Sequence, residues 1–402
     1  MSPPTALIVQ RYRAFAGEAR LPLRPLTLLY GRNNSGKSAL VRVLAILGAS
    51  ISETASSAFV RTPELDRGGE FTDWAWQGEV GDYSFDLGLC WNDGTLREAR
   101  FTIDGASGRP PYVKELQLRG VENTPLWAGR SPPNRPMRPQ LNPKEAVLSF
   151  VGLVPGKSTA EPVQQLRQRL NELRSRIRWL DSVRARPERR PSKTGTPPEV
   201  LYPDGGNAVR YLLERPDLLD SVNRFYAALS PPRELRIQEE LNLGYRVRLD
   251  RPAGFAIDLV DTGEGMSQVL PVLVAAALAA EDGLSSLLAV EEPESHLHPD
   301  AQAVLARHLC SIAAQQSPPT LVLETHSRVF LLGVQLAVAS GDLPADRVSL
   351  TWVDQDPIGR STITPVELDN QGHPRDGWPA AALAEDLRLA AQLAKLDLRR
   401  GS

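Results

Sequence analysis

Residues 26–38 read LTLLYGRNNSGKS and decide the fold of this chain. The apolar run from Leu26 to Tyr30 predicts a strand, and the pattern from Ser38 to Leu47 predicts a helix. The turn between them fits G-x-x-x-x-G-K-S, in which glycines let backbone N–H groups face phosphate oxygens. A helix N-terminus adds favourable partial charge at the same place. The sequence therefore predicts an α/β fold with a phosphate-binding strand–loop–helix unit.

The side chains of this loop are the candidate nucleotide ligands. In such loops the lysine, here Lys37, reaches the β- and γ-phosphates, and the hydroxyl of Ser38 ligates Mg²⁺. The alternative is a chance match in a glycine-rich turn, which the flanking strand and helix disfavour. We therefore expect nucleotide binding by Gly31, Asn33, Asn34, Ser35, Gly36, Lys37 and Ser38.

A second motif places two acids after an apolar run. Residues 287–294 read LLAVEEPE, typical of a buried strand that delivers carboxylates at its C-terminal edge, where open α/β sheets bind ligands. Glu291 would hold the hydration shell of Mg²⁺, and Glu292 would orient or deprotonate the attacking water. The alternative is an acidic surface turn after a core strand.

A third motif is a second glycine-rich loop before a second helix. Residues 261–268 read DTGEGMSQ, with Gly263, Gly265 and Ser267 as candidate anion ligands. Two such loops suit two chains placed head to tail, so that each nucleotide lies between the first loop of one chain and the second loop of the other. The alternative is a simple helix-capping turn.

The fourth motif, ETHS at residues 324–327, also follows an apolar strand pattern. A histidine at a strand end beside the carboxylates can hydrogen-bond a γ-phosphate, so His326 is a candidate catalytic and sensing residue. A structural histidine is the alternative reading.

The four motifs in this order resemble the ABC-type ATPase heads of the RecF, SMC and OLD lineage. The phrase EEPESHLHP, residues 291–299, is most similar to the OLD-like branch, in its stand-alone form without a Toprim nuclease domain. The resemblance implies a P-loop ABC-type ATPase head with a mixed sheet, an antiparallel β subdomain and a helical and loop insertion. It also implies ATP and Mg²⁺ as ligands, with the roles given above for Lys37, Ser38, Glu291, Glu292 and His326.

The chain divides into three predicted segments. Residues 1–105 hold the first loop and, from Val80 to Ile103, a two-residue alternation around the turn Asn92-Asp93-Gly94, which predicts an antiparallel β subdomain. Residues 106–231 form the insertion. Residues 232–402 hold the other three motifs and a closing helix over 381–396. Gln77 is the candidate coupling-loop residue.

Composition restricts the function classes. The chain has 402 residues, 42% apolar and 23% charged, with a net charge of −2, which excludes wholesale disorder and any global attraction to nucleic acid or membranes. Two cysteines cannot make a disulfide framework or a four-ligand zinc site. The longest apolar run, Val269 to Ala280, is shorter than a membrane span. We expect a cytoplasmic protein without membrane contact.

An arginine-rich segment, residues 164–193, has two readings. The apolar spacing predicts one amphipathic helix from Glu161 to Leu180, which places Arg167, Arg174 and Arg178 on one stripe. Such a stripe suits DNA phosphates, whereas a solvated helix face is the alternative. Arg184 is interpreted as a structural arginine.

Two other clusters have alternative readings. Glu294, His296 and His298 form a candidate metal cluster, but no further ligand is evident nearby. Asp354 and Asp356 lack the glycine-flanked acidic strand of a Toprim site, so an intrinsic nuclease is not expected.

These observations indicate an ATP-hydrolysing head-to-tail homodimer or a higher assembly. Its expected role is the sensing or scaffolding subunit of an anti-phage or genome-maintenance complex that has a separate effector such as a nuclease. The alternatives are a RecF-like repair ATPase that acts directly on DNA and a nucleotide-gated scaffold with little hydrolysis.

Lys37→Ala removes the charge that the loop directs at the β- and γ-phosphates. We expect ATP binding to weaken sharply while the fold survives. Calorimetric titration with ATP checks this, and an unchanged affinity would contradict the interpretation of the loop.

Overall fold

The computed structural model describes residues 2–62, 64–65, 69–76, 83–105, 109–132, 135–192, 198, 200–240, 244–251, 254–379 and 382. Two predicted features lie outside the described residues. They are the candidate coupling residue Gln77 and, apart from Ala382, the closing helix over 381–396.

A six-stranded mixed sheet carries the phosphate-binding loop. Numbered by their place in the chain and given in spatial order, its strands are β11 (Ile177–Leu180), β15 (Leu287–Glu291), β16 (Thr320–Thr325), β3 (Leu26–Gly31), β17 (Val348–Gln355) and β18 (Ser361–Val366). Neighbours are parallel except β17 and β18, which pair antiparallel. The predicted mixed sheet is therefore confirmed.

A seven-stranded antiparallel sheet forms the second layer. In spatial order its strands are β2 (Ala19–Pro22), β1 (Ala6–Gln10), β4 (Phe85–Cys90), β5 (Glu98–Asp104), β6 (Tyr112–Arg119), β7 (Pro125–Arg130) and β8 (Arg138–Pro139). β4 and β5 flank the predicted turn, where Gly94 has a positive φ of 69°. The predicted antiparallel β subdomain is present.

The other described elements pack around these two sheets. The remaining strands are β9 (Phe150–Val151), β10 (Val154–Pro155), β12 (Glu234–Glu240), β13 (Gly244–Asp250) and β14 (Ile257–Asp258). The α-helices are α1 (Lys37–Ser50), α2 (Glu161–Leu173), α3 (Ala208–Glu214), α4 (Leu219–Ala227), α5 (Glu264–Asp282), α6 (Pro299–Ala313) and α7 (Arg328–Ala339).

The mixed sheet separates two hydrophobic cores because its side chains alternate between faces. Leu26 and Leu28 of β3 pack in a core with helices α3 to α7, whereas Leu29 packs in the core formed with α1, α2 and the antiparallel sheet. Covering both faces buries every residue of β15 and β16, as is typical of parallel strands. Their carboxyl ends are left at one edge of the sheet.

Helix α5 packs in the core that contains Leu26 and Leu28. By length and composition it is long and apolar enough to cross a membrane, and among the described residues no other helix passes that test. However, 78% of its apolar window is buried within the protein. It packs against α3, α4 and β15.

Strand pairing crosses the first predicted segment boundary. β5, which ends at Asp104, pairs with β6 from the predicted insertion, and β11, also from the insertion, is an edge strand of the mixed sheet. The insertion therefore contributes to both sheets. The division into 1–105, 106–231 and 232–402 stays a prediction as a division into domains.

The single amphipathic helix predicted over 161–180 is wrong in its second half. Helix α2 ends at Leu173, Ser175 takes a positive φ of 61°, and Ile177–Leu180 is the strand β11. A left-handed residue ends a helix, and the apolar residues after it pair in the sheet instead.

The arginine stripe predicted for DNA is therefore not present. Arg167 donates to the carbonyl of Pro155, Arg174 donates to the carbonyl of Ile51, and Arg178 pairs with Asp282 at 2.6 Å. The three side chains hold different parts of the fold together. DNA contact by residues 164–193 loses the geometry on which it rested.

Candidate functional site

The register of three parallel strands brings the predicted site residues to one edge of the sheet. Glu291 at the end of β15 is paired with Glu324 of β16, which is paired in turn with Leu29 of β3. Because the carboxyl ends of parallel strands share an edge, the loops that follow these strands converge. The phosphate-binding loop, the second acid and the histidine all belong to those loops.

The backbone of the loop requires glycine at both ends. A Cβ on Gly31 would lie 2.1 Å from the carbonyl oxygen of Val353, so no larger residue fits there. Gly36 caps helix α1 with a positive φ of 97°, a conformation that glycine adopts without steric cost. The two glycines therefore fix the curl that the sequence motif predicted.

A cleft of about 1390 Å³ opens above the loop. Trp74 and Trp76 lie at one end of the cleft. The predicted site residues that line it come from three separate motifs and are Asn33, Asn34, Ser35, Gly36, Lys37, Ser38, Glu292 and His326. Glu324 also lines the cleft, although it was not among the predicted site residues.

Lys37 lies in the floor of this cleft. Its side chain is buried, and its Nζ donates to the carbonyl of Arg32 at 2.6 Å. Burial lowers the pKa of the Lys37 ammonium, and the nearby carboxylates of Glu324 and Glu292 oppose that shift. An ammonium held by a single carbonyl in a partly desolvated cleft favours an anionic ligand.

Glu291, the predicted magnesium residue, is buried, and its ion-pair partner Arg42 lines the cleft. Its two carboxylate oxygens accept hydrogen bonds from Nε and Nη2 of Arg42, each at 2.7 Å, and Oε1 also accepts one from Nε1 of Trp179 at 3.1 Å. It is not among the cleft-lining residues. The bidentate pair with Arg42 is the physical reason why Glu291 does not meet Ser38.

Glu324 is the acid that contacts Ser38, while the role of Glu291 at Mg²⁺ stays a prediction. The hydroxyl of Ser38 donates to Oε1 of Glu324 at 2.8 Å. Burial, followed by the charge of Glu291, raises the pKa of Glu324 to about 7. The sequence offered one signal, a carboxylate two residues before His326.

Glu292 lies in the cleft on a constrained backbone. Its φ is 44°, and its backbone N–H donates to the carbonyl of Glu324 at 2.9 Å. Nη2 of Arg184 donates to the carbonyls of Glu291 and Glu292, at 2.6 and 3.0 Å. Burial lowers the pKa of Arg184 to about 10. This arginine therefore holds the loop that positions Glu292.

The loop that carries His326 is held by Glu294. Oε1 of Glu294 accepts from the hydroxyl of Thr325 at 2.6 Å and from the backbone N–H groups of His326 and Ser327 at 3.1 and 3.2 Å. The imidazole is left at the cleft, with Nε2 3.9 Å from Oε1 of Glu324. Burial lowers the pKa of His326, and the charge of Lys37 acts in the same direction.

The candidate metal cluster has diverging side chains. Glu294 binds the His326 loop, whereas His296 lies 3.6 Å from Glu264 and His298 caps helix α6. Among the described residues, no group of three or more metal-ligating side chains is found. Asp356, considered above as a possible nuclease residue, accepts hydrogen bonds from the backbone N–H groups of Ile358 and Arg360 in its own turn.

The third motif lies at the N-terminus of α5 and not on the cleft of its own chain. Gly263 is the exposed N-cap residue, with no atom within 4 Å of an added Cβ. Gly265 is buried, and a Cβ there would lie 2.3 Å from the carbonyl oxygen of His296. Ser267 is also buried, and its hydroxyl donates to the carbonyl of Glu264 at 3.0 Å.

The mixed sheet and the phosphate-binding loop, together with the acids and histidine beside it, define a P-loop ATPase head of the ABC type. Residues 26–333 match the family model described as "AAA domain, putative AbiEii toxin, Type IV TA system", and the chain belongs to this family. No curated protein matches the chain in sequence. The predicted ABC-type and SMC-like lineage is confirmed, while membership of the OLD-like branch stays a prediction.

Solved structures of SMC heads are similar in fold. An SMC head bound to the C-winged helix domain of ScpA gives a TM-score of 0.51 at 11% identity, covering 91% of this chain and 98% of that chain. The SMC head domain from Thermotoga maritima gives 0.47 at 14% identity, covering 91% of this chain and 100% of that chain. An SMC head derived from Pyrococcus furiosus gives 0.49 at 10% identity, covering 98% and 100%.

Arg42→Met tests the buried ion pair beside the site. The change leaves the carboxylate of Glu291, which is 2% exposed, without its guanidinium partner. We expect the free energy of unfolding to fall by about 3 kcal/mol, the lower end of the range for removing one partner of a buried ion pair. Denaturant unfolding measures this.

Arg236→Met is the control for that experiment, because Arg236 is 52% exposed and its partners Glu234 and Asp250 are 54% and 23% exposed. We expect a smaller loss, about 1 kcal/mol or less, for these solvent-exposed ion pairs. Equal losses for the two variants would show that burial does not distinguish the pairs.

Proposed function

We propose that this chain binds ATP and Mg²⁺ in the cleft and hydrolyses the ATP. One observation carries the proposal: Lys37 and Ser38 line the same cleft as Glu292, Glu324 and His326, although they come from three separate parts of the sequence. Cation, hydroxyl, carboxylates and imidazole around one space are the groups that phosphoryl transfer to water requires.

The polar atoms of the cleft fit both ligands. Among the described residues, neither the buried hydroxyl of Ser35 nor Oε2 of Glu324 has a hydrogen-bond partner. A hydroxyl in the loop suits phosphate oxygens, and a carboxylate beside the hydroxyl of Ser38 suits the oxygen-liganded Mg²⁺. At the far end, the guanidinium of Arg13 lies 3.8 Å over the ring of the buried Trp74. This half-buried guanidinium lines the cleft and is a flat group on which a base can stack.

Each residue has a defined task in the proposed reaction. Lys37 exchanges the carbonyl of Arg32 for the β- and γ-phosphate oxygens, and the loop N–H groups hold the same oxygens. Glu292 accepts a proton as the water oxygen bonds to the γ-phosphorus and the bond to the β-phosphate oxygen breaks. His326 hydrogen-bonds the γ-phosphate. When bound, Mg²⁺ neutralises the charge that develops on the phosphates.

The second glycine-rich loop supports a head-to-tail homodimer. In one chain the N-terminus of α5 is exposed at Gly263 and does not line that chain's own cleft. A helix N-terminus favours anions. In the proposed dimer, Gly263, Gly265 and Ser267 belong to the loop that closes the partner's nucleotide site.

The wider role is that of a cytoplasmic sensing or scaffolding subunit with a separate effector, such as a nuclease, in an anti-phage or genome-maintenance complex. Support comes from the family description, which names a putative AbiEii toxin and a Type IV TA system, and from the resemblance of EEPESHLHP to the OLD-like branch. Isolating the protein from its native host and identifying what remains bound, with and without ATP, tests for the effector.

Glu292→Gln tests the assignment of the catalytic base. The amide keeps the size of the carboxylate and its hydrogen bonding but cannot accept the proton from water. We expect ATP to be retained while phosphate release falls by about 100-fold or more, within the range for removing a general base. Wild-type turnover in this variant would contradict the role of Glu292. Tight binding by the wild type without turnover would favour a nucleotide-gated scaffold.

A mixture of two inactive variants tests the head-to-tail dimer. One variant adds an aspartate to the second glycine-rich loop. Gly263 is the suitable position, because it is an exposed N-cap residue, where Asp is favourable, whereas Gly265 has no room for a side chain. In Gly263→Asp the new carboxylate would repel the γ-phosphate bound by the partner. Gly263→Ser is the matched uncharged control and should stay active.

Homodimers of Gly263→Asp and of Lys37→Ala should each be inactive. Once subunits exchange, a heterodimer contains one site built from an intact loop and an intact second motif, so ATPase activity should return in the mixture. If subunits exchange but ATPase activity does not return, the head-to-tail dimer is contradicted and residues 261–268 only cap helix α5.

A further inference from the structure

The cleft offers few available cations to a triphosphate. Among the described residues, the arginines and lysines that line it are Arg13, Lys37 and Arg42. Arg42 is bonded to both carboxylate oxygens of Glu291, and Arg13 stacks on Trp74 at the far end. Within the described part of the cleft, Lys37 is therefore the one such residue that can meet phosphates at the loop.

Acids lie close to that lysine. Glu292 and Glu324 both line the cleft, and their charges act on the ammonium of Lys37. A bound γ-phosphate would add further negative charge, of which Mg²⁺ offsets only a part. Enzymes that transfer phosphoryl groups often add an arginine at this point, either from the same chain or from a partner chain. The charge balance of the cleft leaves a place for such an arginine.

An exposed arginine lies beside the second glycine-rich loop. Arg186 is 82% exposed, and its Nη2 donates to Oε1 of Glu264 at 2.7 Å. Glu264 directly follows Gly263, the N-cap residue of α5, which closes the partner's site in the proposed dimer. Among the described residues, Glu264 is the only hydrogen-bond partner of Arg186, so most of the five N–H groups of its guanidinium can still bind an anion.

The backbone around Arg186 is anchored on both sides. Before it, the buried side chain of Arg184 donates to the carbonyl of Glu292 at 3.0 Å. After it, Arg189 donates to both carboxylate oxygens of Asp261, at 2.5 and 2.8 Å. These anchors fix the place from which Arg186 projects. Since Arg189 is held by a forked pair, Arg186 is the more available of the two exposed arginines.

We propose that Arg186 is a catalytic residue that acts in trans. In the head-to-tail dimer its guanidinium exchanges Glu264 for the γ-phosphate oxygens of the ATP bound by the partner chain. The exchange is feasible because an ion pair this exposed contributes little to stability. As water bonds to the γ-phosphorus, its proton passes to the partner's Glu292 and the bond to the β-phosphate oxygen breaks, while Arg186 stabilises the charge on the γ-phosphate. The inference rests on the proposed ATP hydrolysis and dimer.

Arg186→Ala tests the assignment by separating binding from turnover. The fold should survive because the side chain is on the surface, and calorimetric titration should give an ATP affinity close to wild type because each loop is intact. We expect kcat to fall by about 100- to 1000-fold, the range for removing one donor that stabilises a transition state. Arg236→Ala removes another exposed, ion-paired arginine and should keep wild-type turnover.

Mixing variants shows which chain's ATP Arg186 serves. Homodimers of Arg186→Ala and of Lys37→Ala should each be inactive or nearly so. In their heterodimer the intact loop of the first chain meets the intact Arg186 of the second, so ATPase activity should return. If Arg186 acted on the ATP of its own chain, both sites of that heterodimer would be defective and activity would stay absent.

Glu264→Gln distinguishes phosphate binding from simple support of the second loop. This change removes the ion pair but leaves the guanidinium, so turnover should not fall if Arg186 acts on the phosphate. An equal loss in Glu264→Gln and Arg186→Ala would mean that Arg186 only holds Glu264, and would overturn the proposal.

The remaining outcomes separate this proposal from those on which it rests. Wild-type turnover in Arg186→Ala, or subunit exchange without recovery in its mixture with Lys37→Ala, would overturn the role of Arg186. An absence of ATP turnover in the wild type would instead contradict the proposed function. A lack of recovery in the mixture of Gly263→Asp with Lys37→Ala would contradict the dimer.

Discussion

The parallel hydrogen-bond ladder that joins β15, β16 and β3 is the constraint on which the site depends. It fixes Glu291 beside Glu324 and Glu324 beside Leu29, so the loops after the three strands meet at one edge. A one-residue slip would turn every side chain of a strand to the other face of the sheet. Because the two faces pack in different cores, such a slip would also bury the wrong side chains.

Buried charges at the same edge hold the loops in a binding-ready arrangement. Arg184 bonds the backbone that carries Glu292, and Glu294 bonds the backbone that carries His326. Each of these groups acts on a loop that the cleft needs and not on a ligand itself. The cleft is thus prepared by charges that lie behind its walls, an arrangement that reduces reorganisation when a ligand binds.

Local patterns explain what could be predicted from the sequence. The strand, turn and helix around Lys37 are contiguous, and Glu292 and His326 each follow an apolar strand, so their convergence follows from the parallel sheet. The missed features depend on distant partners. Strand β11 pairs with Leu287 far along the chain, and its apolar spacing also suits a helix until Ser175 ends α2 with a positive φ. Likewise, no local sequence pattern shows that Arg42 pairs with Glu291 or that Glu324 lies beside Ser38.

The central claim is that one cleft binds the triphosphate and the metal between these loops. Crystals grown with Mn²⁺ and a non-hydrolysable ATP analogue test it most directly, because Mn²⁺ is located by its anomalous scattering. The account predicts Mn²⁺ at coordination distance from the hydroxyl of Ser38 and a γ-phosphate between Lys37 and Glu292. Analogue and metal bound elsewhere on the chain, with this cleft empty, would contradict it.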